Sequence, residues 1–91
     1  MSWLPFGIRR VVGGSMLPTL NQGDIVVYWR RKPRMGELVV AQVDGRDVVK
    51  RVVLVHPDSS VDLAGDNTAS NHYQFVPQAA MLGVLLWPRH L

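Results

Sequence analysis

Short apolar runs separated by turn-forming residues make up the hydrophobic pattern of this chain. Runs rich in valine are typical of β-strands, and Gly, Pro, Asn and Asp between them are typical of tight turns. The runs that predict strands are 8–12, Ile25–Trp29, Leu38–Val43, 47–55 and Val61–Ala64. The pattern therefore predicts an all-β fold with a small, partly closed antiparallel sheet or barrel.

The C-terminal part of the pattern is ambiguous. Residues 74–76 fit a short strand or a turn. In residues 78–87, Ala79 to Leu82 favour a helix, whereas Gly83 to Trp87 favour a strand.

The hairpin before the longest predicted strand is better defined, because Asp44-Gly45 is a strong two-residue turn signal.

A serine lies on a sharp, exposed bend that the sequence predicts. Gly13 and Gly14 precede Ser15, and Pro18 follows it. The glycines permit backbone angles that a side chain would block, and Pro18 keeps Leu17 out of the helical region. We expect the Ser15 hydroxyl and amide to face a cleft, although the same residues would also suit a simple turn.

A lysine lies in the middle of the longest predicted strand. Strict alternation places Lys50 on one face with Val48, Val52 and Leu54, and Arg51 on the other with Val49, Val53 and Val55. Burial among apolar neighbours lowers the pKa of a lysine, and a neutral lysine acts as a general base. The alternative is an edge lysine whose amine reaches water.

Four blocks in order resemble the signal peptidase I family of Ser/Lys proteases. They are Ser-Met-Leu-Pro-Thr at 15–19, Gly-Asp-Ile-Val at 23–26, Lys-Arg-Val at 50–52 and Gly-Asp-Asn at 65–67. The small size and the missing N-terminal anchor are most similar to the nickel superoxide dismutase maturation protease branch. The resemblance implies the catalytic core of signal peptidase and LexA-like proteins and a strand rather than a helix in residues 78–87. The length of 91 residues predicts one domain over residues 1–91.

The resemblance also implies roles for the motif residues. Ser15 would attack a peptide carbonyl, Lys50 would be its general base, and the Ser15 backbone N–H would stabilise the oxyanion. Many relatives place a second hydroxyl where this chain has Gly13. Asp66 and Asn67 would support the site beside the lysine, although a plain Asx turn explains them equally well.

The family pattern after Gly-Asp-Asn is only partly present. Ser70 is the candidate for a hydroxyl that supports the lysine. The Asp-Ser-Arg element that follows in the family is replaced here by Asn71-His72-Tyr73. A Ser15–His72 pair is the less favoured catalytic alternative, since no acid stands at a telling position.

Two segments are expected to hold an extended substrate. Family members bind it between the stretch before the serine and the stretch before the lysine, which are Ile8, Arg9, Arg10, Val11 and Val12, and Asp47, Val48 and Val49 in this chain. The expected substrate is a precursor polypeptide that loses its N-terminal propeptide, and the branch suggests nickel superoxide dismutase.

The composition limits the catalytic groups and cofactors that the chain can use. The chain has 91 residues, of which 47% are hydrophobic and 19% charged, which is typical of a folded domain. The absence of cysteine excludes disulfides and thiol nucleophiles, and His56, His72 and His90 lack metal-ligand spacing. We therefore expect no metal and no cofactor.

The formal charge of +3 arises from basic clusters at Arg9-Arg10 and Arg30-Arg31-Lys32 with Arg34. The second cluster lies between two predicted strands, so we expect a solvated loop and no nucleic acid partner. A non-catalytic basic β-barrel that binds nucleic acid or peptide is the alternative from another functional class.

The N-terminus has too few consecutive apolar residues for a membrane span or a signal peptide. We expect no integral span and a cytoplasmic protein. Trp3, Leu4, Phe6 and Ile8 either cover an open core or make peripheral contact with a membrane. A signal-peptidase-like protein that cleaves export signals at a membrane is therefore the alternative enzyme.

Overall fold

Seven antiparallel strands form one curled half-barrel sheet in the computed structural model, which describes residues 5–70 and 72–88 but not the side chain of Ser70. The strands are β1 Phe6–Arg10, β2 Ile25–Trp29, β3 Leu38–Val43, β4 Arg46–Val55, β5 Val61–Ala64, β6 Gln74–Val76 and β7 Met81–Trp87. Two 3₁₀ turns, Thr68–Ser70 and Gln78–Ala80, complete the described elements. The spatial order is β1-β2-β7-β3-β4-β5-β6. The all-β expectation is confirmed.

The hairpin between β3 and β4 forms at the predicted turn. Asp44 and Gly45 both have positive φ, 52° and 76°, as a two-residue turn of the I′ kind requires. The turn brings Val43 opposite Arg46 and sets the register in which Val39 lies opposite Lys50. The position of Lys50 in the sheet therefore follows from local turn chemistry.

The sheet buries apolar side chains on both faces of β3. Val40 belongs to one core cluster with Val26 and Tyr28 of β2, and Val39 belongs to another with Val52 and Leu63. Met16 and Leu20, each only 1% exposed, join the first cluster from the loop after β1. Residues 13–20, which form the turn around Ser15 (the serine turn), are thus anchored in the core by two side chains.

Two details of the strands differ from the prediction. The first strand spans Phe6–Arg10 rather than 8–12. Val11 has left the ladder but remains tied to the loop before β2, since its N–H donates to the Asp24 carbonyl and its carbonyl accepts from the Gly23 N–H, both at 2.8 Å. In residues 78–87 the expected strand covers Met81–Trp87, and Gln78–Ala80 form a 3₁₀ turn instead.

Strict alternation along β4 was a wrong prediction beyond Val52. The ladder with β5 has an irregularity between Val52 and Leu54, where a β-bulge changes the side on which later residues lie. Val55 consequently packs against the same cluster as Val52, and Leu54 is 43% exposed. Lys50 precedes the bulge, so its placement is unaffected.

Residues 74–76 form the edge strand β6, which pairs with β5. No helix in the described residues has the length and apolar character needed to cross a bilayer.

Candidate active site

Ser15 lies in a tight turn whose shape follows from its glycines and its buried anchors. Gly13 has φ +81°, a backbone conformation that favours glycine. The Leu17 N–H donates to the Gly14 carbonyl at 3.2 Å, and the Leu20 N–H donates to the Met16 carbonyl at 2.9 Å. Ser15 itself is half-buried. The turn therefore fixes the Ser15 backbone and leaves the residue partly accessible.

The Gly65-Asp66-Asn67 segment packs against the serine turn and hydrogen-bonds to it. The Asn67 backbone N–H donates to the Ser15 carbonyl, and the Asn67 side-chain amide donates to the Gly14 carbonyl, both at 2.8 Å. Gly65 lies so close to Ser15 that a Cβ on it would collide with the Ser15 carbonyl oxygen. The Ser15 N–H, in contrast, donates to no described group. That N–H is therefore not used by the contacts that hold the turn.

Asp66 connects the serine turn to β4. Its carboxylate accepts two hydrogen bonds from the Arg51 guanidinium, at 2.9 and 2.7 Å, and one from the Thr19 hydroxyl at 2.5 Å. The hydrogen bonds from Arg51 lower the pKa of Asp66, and the same contact raises the pKa of Arg51. Arg51, which follows Lys50 in the sequence, therefore forms a structural ion pair with Asp66.

Lys50 has a different environment from its neighbour. It lies on β4 opposite Val39, is half-buried, and belongs to no ion pair recorded for the described residues. Burial lowers the pKa of Lys50, because the charged ammonium loses hydration. The Ser15 and Lys50 side chains do not hydrogen-bond to each other in this structure, and such contacts commonly tighten only when substrate is bound.

Ser15 and Lys50 line the same cavity, whose volume is about 700 Å³. One wall is formed by 9–14, which leads into the serine turn, and the opposite wall by 45–50. Among the described strands β1 pairs only with β2, and the ladder between β4 and β5 begins at Arg51. Each wall therefore presents an unpaired strand edge, and the cavity has the size of a ligand cleft.

The structure brings most of the predicted substrate residues to this cavity. Arg9, Arg10, Val11, Val12, Asp47, Val48 and Val49 line it together with Ser15 and Lys50. Ile8 is not among the lining residues, since its side chain is 63% exposed elsewhere.

Asp66 and Asn67 contact the serine turn rather than Lys50. The Ser70 side chain and Asn71 lie outside the described residues. His72 is exposed and does not line the cavity. Within the described part of the chain, no group of three or more His, Asp or Glu side chains is placed to hold a metal ion.

Two residues of the site have a partner that the sequence does not predict. Thr19 and Arg51 belong to the motif blocks, but no pattern in the sequence indicates that both contact Asp66. Their sequence separations from Asp66, 47 and 15 residues, mean that only the tertiary fold brings the three together.

Comparison with known proteins identifies the family. The Peptidase S24-like family matches residues 6–86. The chain is 37% identical over 76 residues to the signal peptidase complex catalytic subunit SEC11 of Chaetomium globosum, which covers 74% of this chain and 44% of that protein. It is 46% identical over 52 residues to SEC11 of Ajellomyces capsulatus strain NAm1 / WU24, covering 53% and 28%. The chain thus spans less than half the length of these curated relatives, and it belongs to the Peptidase S24-like family.

Proposed function

We propose that this protein is a serine endopeptidase in which Ser15 is the nucleophile and Lys50 the general base. The observation that carries the proposal is that both residues line one cavity between two unpaired strand edges. Family membership supports the reaction class, and the lowered pKa of Lys50 supports its role as a proton acceptor near neutral pH.

The proposed reaction has two steps. In the first, Ser15 Oγ attacks the scissile carbonyl while its proton passes to Lys50 Nζ. The Ser15 backbone N–H donates to the oxyanion of the tetrahedral intermediate. The C–N bond then breaks, Lys50 returns the proton to the leaving amine, and an acyl-Ser15 ester remains. In the second step Lys50 takes a proton from water, and the water oxygen attacks the ester carbonyl. The bond between the acyl carbon and Ser15 Oγ then breaks, Lys50 gives the proton to Oγ, and the peptide leaves with a new C-terminal carboxyl group.

The proposed substrate is an extended polypeptide that lies between the two walls of the cavity. Its backbone would hydrogen-bond to the unpaired edge of β1 and to the unpaired edge of β4 before Arg51, and side chains on alternate positions would enter pockets between the walls. Val12 and Val48 supply accessible apolar surface there, whereas Arg9 and Asp47 supply charge. This arrangement suits a flexible propeptide better than a folded domain.

Within this class, we propose removal of the N-terminal propeptide of a precursor in the cytoplasm, with nickel superoxide dismutase as the candidate precursor. The four motif blocks and their similarity to that branch support this choice. The test incubates purified precursor with the wild-type chain and with Ser15→Ala, and determines the N-terminus of any product. A single new N-terminus formed only by the wild type is expected. If the wild type leaves the precursor intact but cleaves other peptides, the proposed substrate is refuted and the proposed peptidase activity is not.

A second candidate, cleavage at a membrane surface, is favoured by an apolar face on the outside of the sheet. Its exposed members are Phe6, Ile8, Ile25, Trp29 and Trp87, which the strand register places on neighbouring positions. The Phe6 and Trp29 rings stack with centroids 6.1 Å apart, and the basic loop Arg30-Arg31-Lys32 follows directly. Aromatic side chains beside cations suit the headgroup region of an anionic bilayer.

Sedimentation with vesicles tests the second candidate. Binding to vesicles that contain phosphatidylserine, weakened by Trp29→Ser with Trp87→Ser and by high salt, is expected if the face contacts lipid. The variant Tyr73→Ser, which removes an exposed aromatic residue elsewhere, is the matched control. Absence of wild-type binding would reject the membrane candidate. Salt-dependent binding of nucleic acid that is unchanged in Ser15→Ala and Lys50→Met would instead favour the non-catalytic alternative.

A further inference from the structure

An ion pair crosses the proposed substrate cleft. The Arg9 guanidinium on β1 donates to the Asp47 carboxylate on β4 through Nε at 2.5 Å. Both residues line the cavity that contains Ser15 and Lys50. In the sheet, β2, β7 and β3 lie between these two strands, and no ladder joins β1 to β4 in the described residues. The pair therefore links two edges that the sheet itself leaves apart.

The Arg9 side chain is supported from the core side. Its guanidinium carbon lies 5.3 Å from the centre of the Tyr28 ring, a distance suited to a cation–π contact. Tyr28 is buried in the first core cluster, and Gly7 makes room for it, because a Cβ at Gly7 would collide with the Tyr28 ring. Arg9 is thus positioned by Tyr28 and by Asp47 together.

The geometry of a β-sheet indicates what such a link can do. Neighbouring strands lie about 4.8 Å apart, so two edges that accept one strand between them must be about 10 Å apart. A narrower gap excludes the peptide, and a wider gap loses the hydrogen bonds on one side. A long arginine that reaches an aspartate across the cleft limits both deviations.

We propose that the Arg9–Asp47 ion pair is a positioning element that holds the edges of β1 and β4 at the separation needed for one extended substrate strand. The inference rests on the proposed function for the identity of the ligand, but the separation itself is measurable without activity. Neither residue takes part in the chemical step, since the proton transfers belong to Ser15 and Lys50.

The first test measures the separation directly. The chain has no cysteine, so spin labels on Ile8→Cys and Arg46→Cys, the exposed neighbours of the pair, report only the distance between β1 and β4. Pulsed electron–electron double resonance should give a narrow distribution for the intact pair and a broader one after Asp47→Asn. The charge-reversed double variant Arg9→Asp with Asp47→Arg should restore the narrow distribution.

The control removes a different ion pair in the same labelled background. Glu37→Gln breaks the contact between Glu37 and Arg31, which lies outside the cavity, and should leave the distribution unchanged. An equally narrow distribution after Asp47→Asn would overturn the proposal, as would broadening by Glu37→Gln to the same extent.

The second test uses a peptide that the wild type cleaves. Asp47→Asn should raise KM by about two- to fivefold and change kcat by less than about twofold, because a partly exposed pair contributes modestly and substrate binding is its only role. Arg9→Lys, which keeps the charge, should recover part of the loss. A fall in kcat with unchanged KM would contradict the assignment. If the wild type cleaves no peptide, that result counts against the proposed function. The distance measurement then still decides whether the Arg9–Asp47 pair holds the edges of β1 and β4.

Discussion

Two adjacent cations, Lys50 and Arg51, show how one strand gives similar residues opposite properties. Alternation sends them to different faces of β4. Arg51 meets the Asp66 carboxylate and becomes more firmly charged, whereas Lys50 meets apolar surroundings and its pKa falls. The guanidinium keeps its proton under all ordinary conditions, but an amine can release it. Only Lys50 therefore suits the proposed base.

The lowered pKa of Lys50 predicts the pH dependence of cleavage. Because the neutral amine is the active form, kcat/KM should rise with pH and level off at a pH below the usual lysine pKa of about 10.4. Initial rates between about pH 6 and pH 10.5 on one peptide measure this. A plateau that begins above the usual value, or a rate that falls as pH rises through this range, would contradict the assignment of Lys50 as the base.

At the level of elements, the Gly65-Asp66-Asn67 corner acts on the serine turn rather than on the lysine. It donates two hydrogen bonds to the turn and connects Thr19 with Arg51 through Asp66. The turn that contains Ser15 is therefore held by a segment distant in sequence, since 53 residues separate Asn67 from Gly14.

Gly65→Ala tests this support. The added Cβ would meet the Ser15 carbonyl oxygen, which is backbone and moves only if the whole turn shifts. We expect a loss of about 1–3 kcal/mol in the free energy of unfolding and a marked loss of cleavage. Gly14→Ala is the comparison, since its Cβ would meet only the end of the Leu17 side chain at 3.2 Å. Chemical denaturation should rank Gly65→Ala as the more destabilised, and the reverse order would refute the contact.

Asp66→Asn tests the ion pair through its pH dependence. The pKa of Asp66 is lowered in the folded protein, so the stability that it contributes is present above the usual pKa of about 3.9 and is lost as pH falls through the folded value. We expect the wild type to exceed the variant by about 1–2 kcal/mol at pH 7 and by less below about pH 4. Denaturation at several pH values measures this difference.

The matched control is Asp44→Asn in the exposed hairpin turn, where the aspartate forms no recorded ion pair with a described residue. A constant difference between wild type and Asp66→Asn across the acidic range would show that the carboxylate charge is not what Arg51 stabilises.

The sequence predicts those parts of the structure that depend on interactions between residues close together in the chain. The Asp44-Gly45 turn and the valine-rich strands follow from backbone preferences within a few residues. The bulge near Val53, the Arg51–Asp66–Thr19 network and the Arg9–Asp47 pair depend on which strands become neighbours in space. That information is spread over the whole chain, so no short pattern contains it.

On the scale of the whole molecule, the curled sheet leaves a cleft between strands that are not neighbours in the sheet. The hairpin register places Lys50 in the lining of this cleft, and the glycine turn places Ser15 in the same lining. The remaining ladders keep the two walls in place without filling the gap. The proposed peptidase activity thus depends on an incomplete barrel.

The most direct test of the roles proposed for Ser15 and Lys50 is cleavage of a defined peptide library by four versions of the chain, with the new N-termini identified by mass spectrometry. Wild type and Lys32→Met, which removes an exposed lysine from the basic loop, should cleave the same peptides at similar rates. Folded Ser15→Ala and Lys50→Met should each be slower by about 10⁴-fold or more. Cleavage by either of these two variants at the wild-type rate would contradict the account.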